Sequence, residues 1–224
     1  MAVAPKEVTS LQNAIAPRLP ASPVEYDQRF MDEFIRILRL YFNQLDNFDG
    51  SLLNNSGGGS ISFPHGAFSS GVTQTAASNT ATALTFNTTD FANGFSIVSS
   101  SRITPTYAGL YNLQFSVQLQ NLANSTEDVY VWLKQYTAAT ATLADITGST
   151  GLIGMMPRKS AGNASHIISG WNYFVSMAVG DYLQIYWSTT NGTDVTIPYY
   201  AASGSPTKPS TQSVVATMQF VSSL

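Results

Sequence analysis

The chain has 224 residues, no cysteine and a formal net charge of −3, with 44% hydrophobic but only 10% charged residues. Its 27 Ser, 23 Thr and 14 Asn leave solubility to hydroxyls and amides rather than to a charged shell. This composition excludes a disulfide scaffold and a basic nucleic-acid face, since ten Lys/Arg stand against thirteen Asp/Glu; no apolar run approaches the roughly 18 residues of a membrane span.

Residues 1–22 hold Pro5, Pro17 and Pro20 and little periodicity. They read as an extended arm that orders only against a partner. The start, Met1 to Val8, lacks the apolar core of a secretory signal, which predicts synthesis in a cytoplasm.

Residues 23–50 read as an amphipathic helix. Ser22, Pro23 and Glu25 supply an N-cap, a proline at the first helical position and a capping-box acid. Gly50 stands where a left-handed C-terminal cap is expected. Met31, Phe34, Leu38, Tyr41, Leu45 and Phe48 recur at the a and d spacing of a heptad, flanked by Phe30, Ile35, Ile37 and Phe42. Glu25–Arg29, Arg29–Glu33 and Asp32–Arg36 have favourable i,i+4 spacing on the other side. Ten large apolar side chains, at roughly 1.5–3 kcal/mol each when buried, represent on the order of 15–30 kcal/mol before entropy. A solvated helix forfeits that, so the stripe predicts packing against sister helices in a trimer. Its own domain or a socket on another protein are the alternatives.

Gly57, Gly58, Gly59 and Ser60 close a Gly/Ser-rich hinge over residues 51–60. The composition changes there: residues 1–59 carry five basic and seven acidic groups, and the much longer 60–224 carries five and six.

Residues 61–224 read as an all-β head. Tyr111, Leu113, Phe115, Val117 and Leu119 alternate with Asn112, Gln114, Ser116 and Gln118. Further strands are expected over 61–68, 81–86, 95–103, 129–134, 166–175, 182–187, 195–199 and 213–221, rich in β-branched and aromatic residues. Eight or nine short strands predict an antiparallel sandwich, a jelly-roll head preceded by one amphipathic helix.

No motif for catalysis or a metal emerges. His65 and His166 lack neighbouring ligands, and no Gly-x-Ser-x-Gly elbow is present. The segment Gly148–Gly154 is glycine-rich without a P-loop lysine and reads as a loop. Glu127, Asp128 and Asp194 could join a calcium site but lack an Asp-x-Asp-x-Asp loop. A polysaccharide hydrolase would need a paired-carboxylate cleft, and the head's acids pair only at Glu127–Asp128. The expectation is a protein with no catalytic residue, no metal and no cofactor. Pro198–Pro209, with Tyr199, Tyr200 and Lys208, is the candidate receptor-contact loop, because aromatic side chains on a rigid loop stack on sugars or anchor interfaces.

Two segments carry a resemblance. Ala83–Asn87, Phe91–Ser96, the Gly109-x-Tyr111-x-x-x-Phe115 run, Met177–Leu183 with its Gly180-Asp181 turn, and Ser213–Phe220 follow one another as in the globular heads related to complement and tumour necrosis factor. That resemblance implies a jelly-roll that assembles as a compact trimer and binds partners through loops. Residues 25–47, from Glu25-Tyr-Asp-Gln-Arg-Phe to Leu-Asp-Asn47, resemble the N-terminal segment of structural proteins of marine tailed bacteriophages. The two together imply a virion structural protein: a homotrimeric fibre, knob or capsid decoration, held to capsid or tail proteins through residues 1–50. The alternative is an adhesin head that binds a host glycan or surface protein.

Overall fold

The computed structural model describes residues 17–21, 24–53 and 63–224, with the helix side chains described through Asn47. Most of the expected arm and hinge, the expected cap residues Ser22 and Pro23, and the Phe48 side chain lie outside these residues. The chain divides into two units, residues 1–62 and 63–224.

The first unit contains one helix, α1 (Gln28–Leu53). It starts later than its sequence signals suggest, because Asp27 caps it. The Asp27 side chain accepts a hydrogen bond from Arg29 N at 2.9 Å, and its carbonyl accepts one from Met31 N at 3.1 Å. Val24 and Glu25 instead form a bend. At the other end the helix runs through Gly50 to Leu53, so Gly50 does not end it. Glycine in a helix interior costs about 1 kcal/mol against alanine, which is less than a strong stop signal. None of the three expected i,i+4 pairs forms an ion pair; Arg36 instead pairs with Glu33 at 2.6 Å.

The second unit is an antiparallel β-sandwich. Its strands in chain order are β1 (His65–Ser70), β2 (Thr82–Ala83), β3 (Thr88–Asn93), β4 (Phe95–Val98), β5 (Arg102–Pro105), β6 (Gly109–Asn121), β7 (Glu127–Thr137) and β8 (Thr142–Asp145). They continue with β9 (Gly151–Met155), β10 (Ser165–Met177), β11 (Tyr182–Thr189), β12 (Val195–Thr196), β13 (Ser203–Gly204), β14 (Thr207–Lys208) and β15 (Val214–Ser222). A six-stranded sheet runs β10-β6-β15-β1-β3, with β12 also on β6. A seven-stranded sheet runs β4-β5-β11-β7-β8, with β2 on β11 and β9 on β7. A short β13–β14 hairpin stands apart. The sequence-predicted fold class, an all-β sandwich preceded by one helix, is the one observed.

Period-2 patterning builds the core. Tyr111, Leu113, Phe115, Val117 and Leu119 of β6 turn inward and are buried, and Val129, Val131 and Leu133 of β7 and Leu183, Ile185 and Trp187 of β11 belong to the same buried cluster. The Gly109-x-Tyr111-x-x-x-Phe115 run has a packing explanation at each position. A Cβ on Gly109 would lie 2.7 Å from the Phe220 ring. The Tyr111 hydroxyl donates to the Tyr107 carbonyl at 2.7 Å, which satisfies a phenol inside an apolar core. Phe115 stacks on Trp171 with ring centroids 5.3 Å apart.

Two sequence expectations change. Residues 95–103 form a hairpin of two strands rather than one. Ser99 and Ser100 make the reversal with φ of 50° and 60°, a conformation usually marked by Asn-Gly and here carried without that signal. The glycine-rich 148–154 segment is only partly a loop, because β9 begins at Gly151. That glycine is dictated by packing: a Cβ there would lie 2.3 Å from the Trp171 indole.

Candidate functional site

Charge is partitioned between the two sheets. The strands of the six-stranded sheet contain one charged residue, Asp90 on β3, at the end of the strand order. The strands of the other sheet contain Arg102, Glu127, Asp128, Lys134 and Asp145. Registered rows of side chains cross the outer face of the six-stranded sheet. One row is Asn172, Gln114, Thr217, Ala67 and Phe91; the next is Phe174, Asn112, Gln219, His65 and Asn93. It is a surface of amides, hydroxyls and apolar groups with almost no ionic repulsion.

At one end of that sheet lies β10, an edge strand of 13 residues. Its register with β6 is unbroken from Ser165↔Asn121 to Met177↔Gly109. No other strand among the described residues pairs with its far side. Edge strands are normally blunted by charges, proline, bulges or shortness, and β10 has none of these. It also presents Ile168, 66% exposed, and Phe174, 63% exposed.

Where β10 begins, a groove of about 620 Å³ opens between the end of β6, the 159–164 turn and Tyr200. Tyr200 is fixed from two directions. Its backbone exchanges two hydrogen bonds with Thr211, at 3.1 and 2.8 Å, and its hydroxyl donates a hydrogen bond to Gln120 Oε1. His166 stands edge-on to its ring with centroids 5.9 Å apart, and Nδ1 lies 3.5 Å from the hydroxyl. Burial, then the positive charge of Lys159, hold the His166 imidazole below its ordinary pKa. Across the groove the Asn163 side chain donates to Ser160 Oγ at 2.7 Å and tightens the turn.

The three residues of the expected contact loop separate. Tyr200 lines the groove. The backbone N–H of Tyr199 donates to Thr73 Oγ1 at 3.0 Å, and its half-buried ring lies toward Gly71. Lys208 is exposed on β14 of the small hairpin. Sequence reasoning missed Gln120, Lys159 and Asn163, which reach the groove from distant elements and belong to no motif.

The α1 stripe divides as well. Phe30, Met31, Phe34, Ile37, Leu38, Tyr41 and Leu45 are half-buried, while Ile35, Leu40 and Phe42 are exposed. Phe30 and Phe34 stack with centroids 6.1 Å apart along one side. No described side chain of α1 is buried. Among the described residues no helix is long and apolar enough to cross a membrane.

The acidic loop residues tie loops together. Glu127 accepts from Ser125 at 2.7 Å, from Thr190 at 2.6 Å and from Asn191 at 3.3 Å, and the Asn191 amide also donates to Asp194 at 3.1 Å. The Thr190 and then the Ser125 hydroxyl hold the Glu127 carboxyl below its ordinary pKa. Its contribution to stability is therefore present above the ordinary glutamate value and is lost as pH falls through the folded value. Among the described residues no group of three or more His, Cys, Asp or Glu is placed to hold a metal ion. The Nδ1 of His65 lies 2.7 Å from the Phe63 carbonyl, and its ring packs 5.8 Å from Phe91.

No protein-family model matches this chain, and comparison with curated proteins finds no relative.

Proposed function

We propose that this protein is a non-enzymatic structural appendage that works as a homotrimer. Its β-sandwich heads meet through the neutral six-stranded sheet, and its α1 helices meet through the Phe30–Leu45 stripe. The observation that carries this reading is the partition of charge. A large outer face with one acid at its margin, next to an unguarded 13-residue edge strand, suits contact with further copies of itself. Surfaces facing water permanently have no reason to shed charge from one sheet and keep it on the other. A stable assembly needs about 600–1,000 Å² buried per partner, within reach of a face five strands wide.

The resemblance of residues 25–47 to phage structural proteins supports placing the assembly on a virion, with the N-terminal segment toward capsid or tail proteins. The α1 stripe supports the same polarity. Most helical stability comes from packing of an apolar face, and this helix presents its stripe from Phe30 to Leu45, about 23 Å at 1.5 Å per residue.

The helix's part is tested in the full chain by replacing Phe34, Leu38 and Tyr41 with serine. Native mass spectrometry across a dilution series is expected to show the assembly dissociating at least tenfold earlier than wild type, with the β signal in circular dichroism unchanged. An unchanged dissociation midpoint would remove α1 from the interface.

A further inference from the structure

We propose that the groove at the start of β10 is a binding site for an acidic saccharide, a sugar ring bearing a carboxylate, with Tyr200 as stacking platform and Lys159 as counter-charge. The inference does not rest on self-association, because one chain supplies every wall of the groove; Gln120 and His166 share the outer face with Ile168, so binding requires an assembly that leaves this end of β10 uncovered. A volume of about 620 Å³ falls in the range of small-ligand sites and suits a short oligosaccharide.

The polar groups define the ligand class. The lining contains no Asp or Glu. Lys159 is exposed, and among the described residues no carboxylate pairs with it. Ser160 Oγ accepts from Asn163 and leaves its own proton to donate. Asn163 Oδ1 remains an acceptor, since that bond uses the amide nitrogen. A free ammonium, a free hydroxyl and an amide oxygen match a carboxylate beside ring hydroxyls. They do not match a cation, which would meet Lys159, or an apolar ligand, which would leave these groups unpaired.

Tyr200 supplies the non-ionic part. The residue is 37% exposed, and the Thr211 bridge together with the Gln120 hydrogen bond fixes its orientation before any ligand arrives. A clamped aromatic face loses little conformational entropy on binding, which is the advantage of preorganisation. Its edge-on contact with His166 fixes the pair as one wall.

The test uses the full chain and calorimetric titration with short oligosaccharides carrying glucuronate, galacturonate or sialic acid. Each is compared with its carboxyl-reduced neutral counterpart, and sodium sulfate serves as a bare anion. Saturable binding is expected for at least one acidic member and is expected to be at least tenfold weaker for its neutral counterpart. Lys159→Met should weaken binding about tenfold or more, and Tyr200→Ala should remove it. Lys208→Met, outside the groove, should leave it unchanged. Mass by light scattering and the thermal midpoint should match wild type in all three variants, so that lost binding is separated from a changed assembly. The proposal is overturned if no acidic member binds below millimolar concentration, if the neutral counterpart binds equally well, or if sulfate alone binds and Tyr200→Ala has no effect.

Discussion

Replacing Ile168 and Phe174 together with lysine is expected to convert the assembly into monomers that remain folded. Both side chains stand on the outer face of β10, exposed within the single chain. Their removal therefore costs the fold little, within about 0.5 kcal/mol as for ordinary surface positions. Buried between copies they contribute roughly 1.5–3 kcal/mol each, so about 3–6 kcal/mol per chain is lost, or roughly a hundredfold to ten-thousandfold in association. The incoming lysines add to this. They place like charges on a strand edge where the native sequence has none, a device other proteins use to keep edges apart. Sedimentation velocity should show one slow species and a thermal midpoint within a few degrees of wild type. A variant of unchanged mass would show that β10 does not face another copy.

Asp181→Ala is expected to produce the largest loss of stability among single polar substitutions in the head. Asp181 is only 3% exposed, and its carboxylate receives the backbone N–H of Ala138 at 2.8 Å and of Ala178 at 2.9 Å. It therefore pins the turn after β7 to the turn before β11. Gln135 Nε2 also reaches it at 3.5 Å and donates to the Ser176 carbonyl at 2.8 Å. Alanine leaves two donors without an acceptor in a part-buried site, each costing about 1–3 kcal/mol. At about 2–4 °C per kcal/mol for a domain of this size, a loss of about 2–6 kcal/mol should lower the midpoint by about 4–24 °C. Asp181→Asn keeps one acceptor oxygen and should fall between the two. A midpoint within about 2 °C of wild type for the alanine variant would contradict this account of the turn.

The sequence showed most clearly those parts of the fold in which one strand carries its whole signal. β6 alternates over its full length because one face meets the core and the other faces away from it. β7, β10, β11 and β15 were found for the same reason, with ends displaced by a few residues. β3 was missed because all its residues but Asn93 are exposed, so no apolar rhythm marks it. The β4–β5 hairpin reads as one strand in the sequence because Ser99 and Ser100 adopt left-handed φ values without a glycine to announce them. The sequence places the helix start too early because Ser22, Pro23 and Glu25 together read as a cap, whereas the hydrogen bond from Arg29 N to the Asp27 side chain caps the observed helix.

The site was harder to read for a geometric reason. Tyr200 stands out in the sequence as an aromatic in a proline-rich loop. Its partners Gln120, Lys159 and His166 come from other elements up to 80 positions away, and only folding brings them together. The partition of charge was equally hidden. Strands of the two sheets interleave along the chain, so Glu127 and Lys134 on one sheet are flanked in sequence by the uncharged β6 and β10 of the other. Low overall charge was visible in the composition; its absence from one particular face was not.

Sedimentation equilibrium of the full chain at micromolar concentration tests the central claim most directly. The account predicts a single species of three times the 24.1 kDa chain mass, stable on dilution and dissociated by the Ile168→Lys/Phe174→Lys pair. A single species of 24.1 kDa over the same range would contradict it.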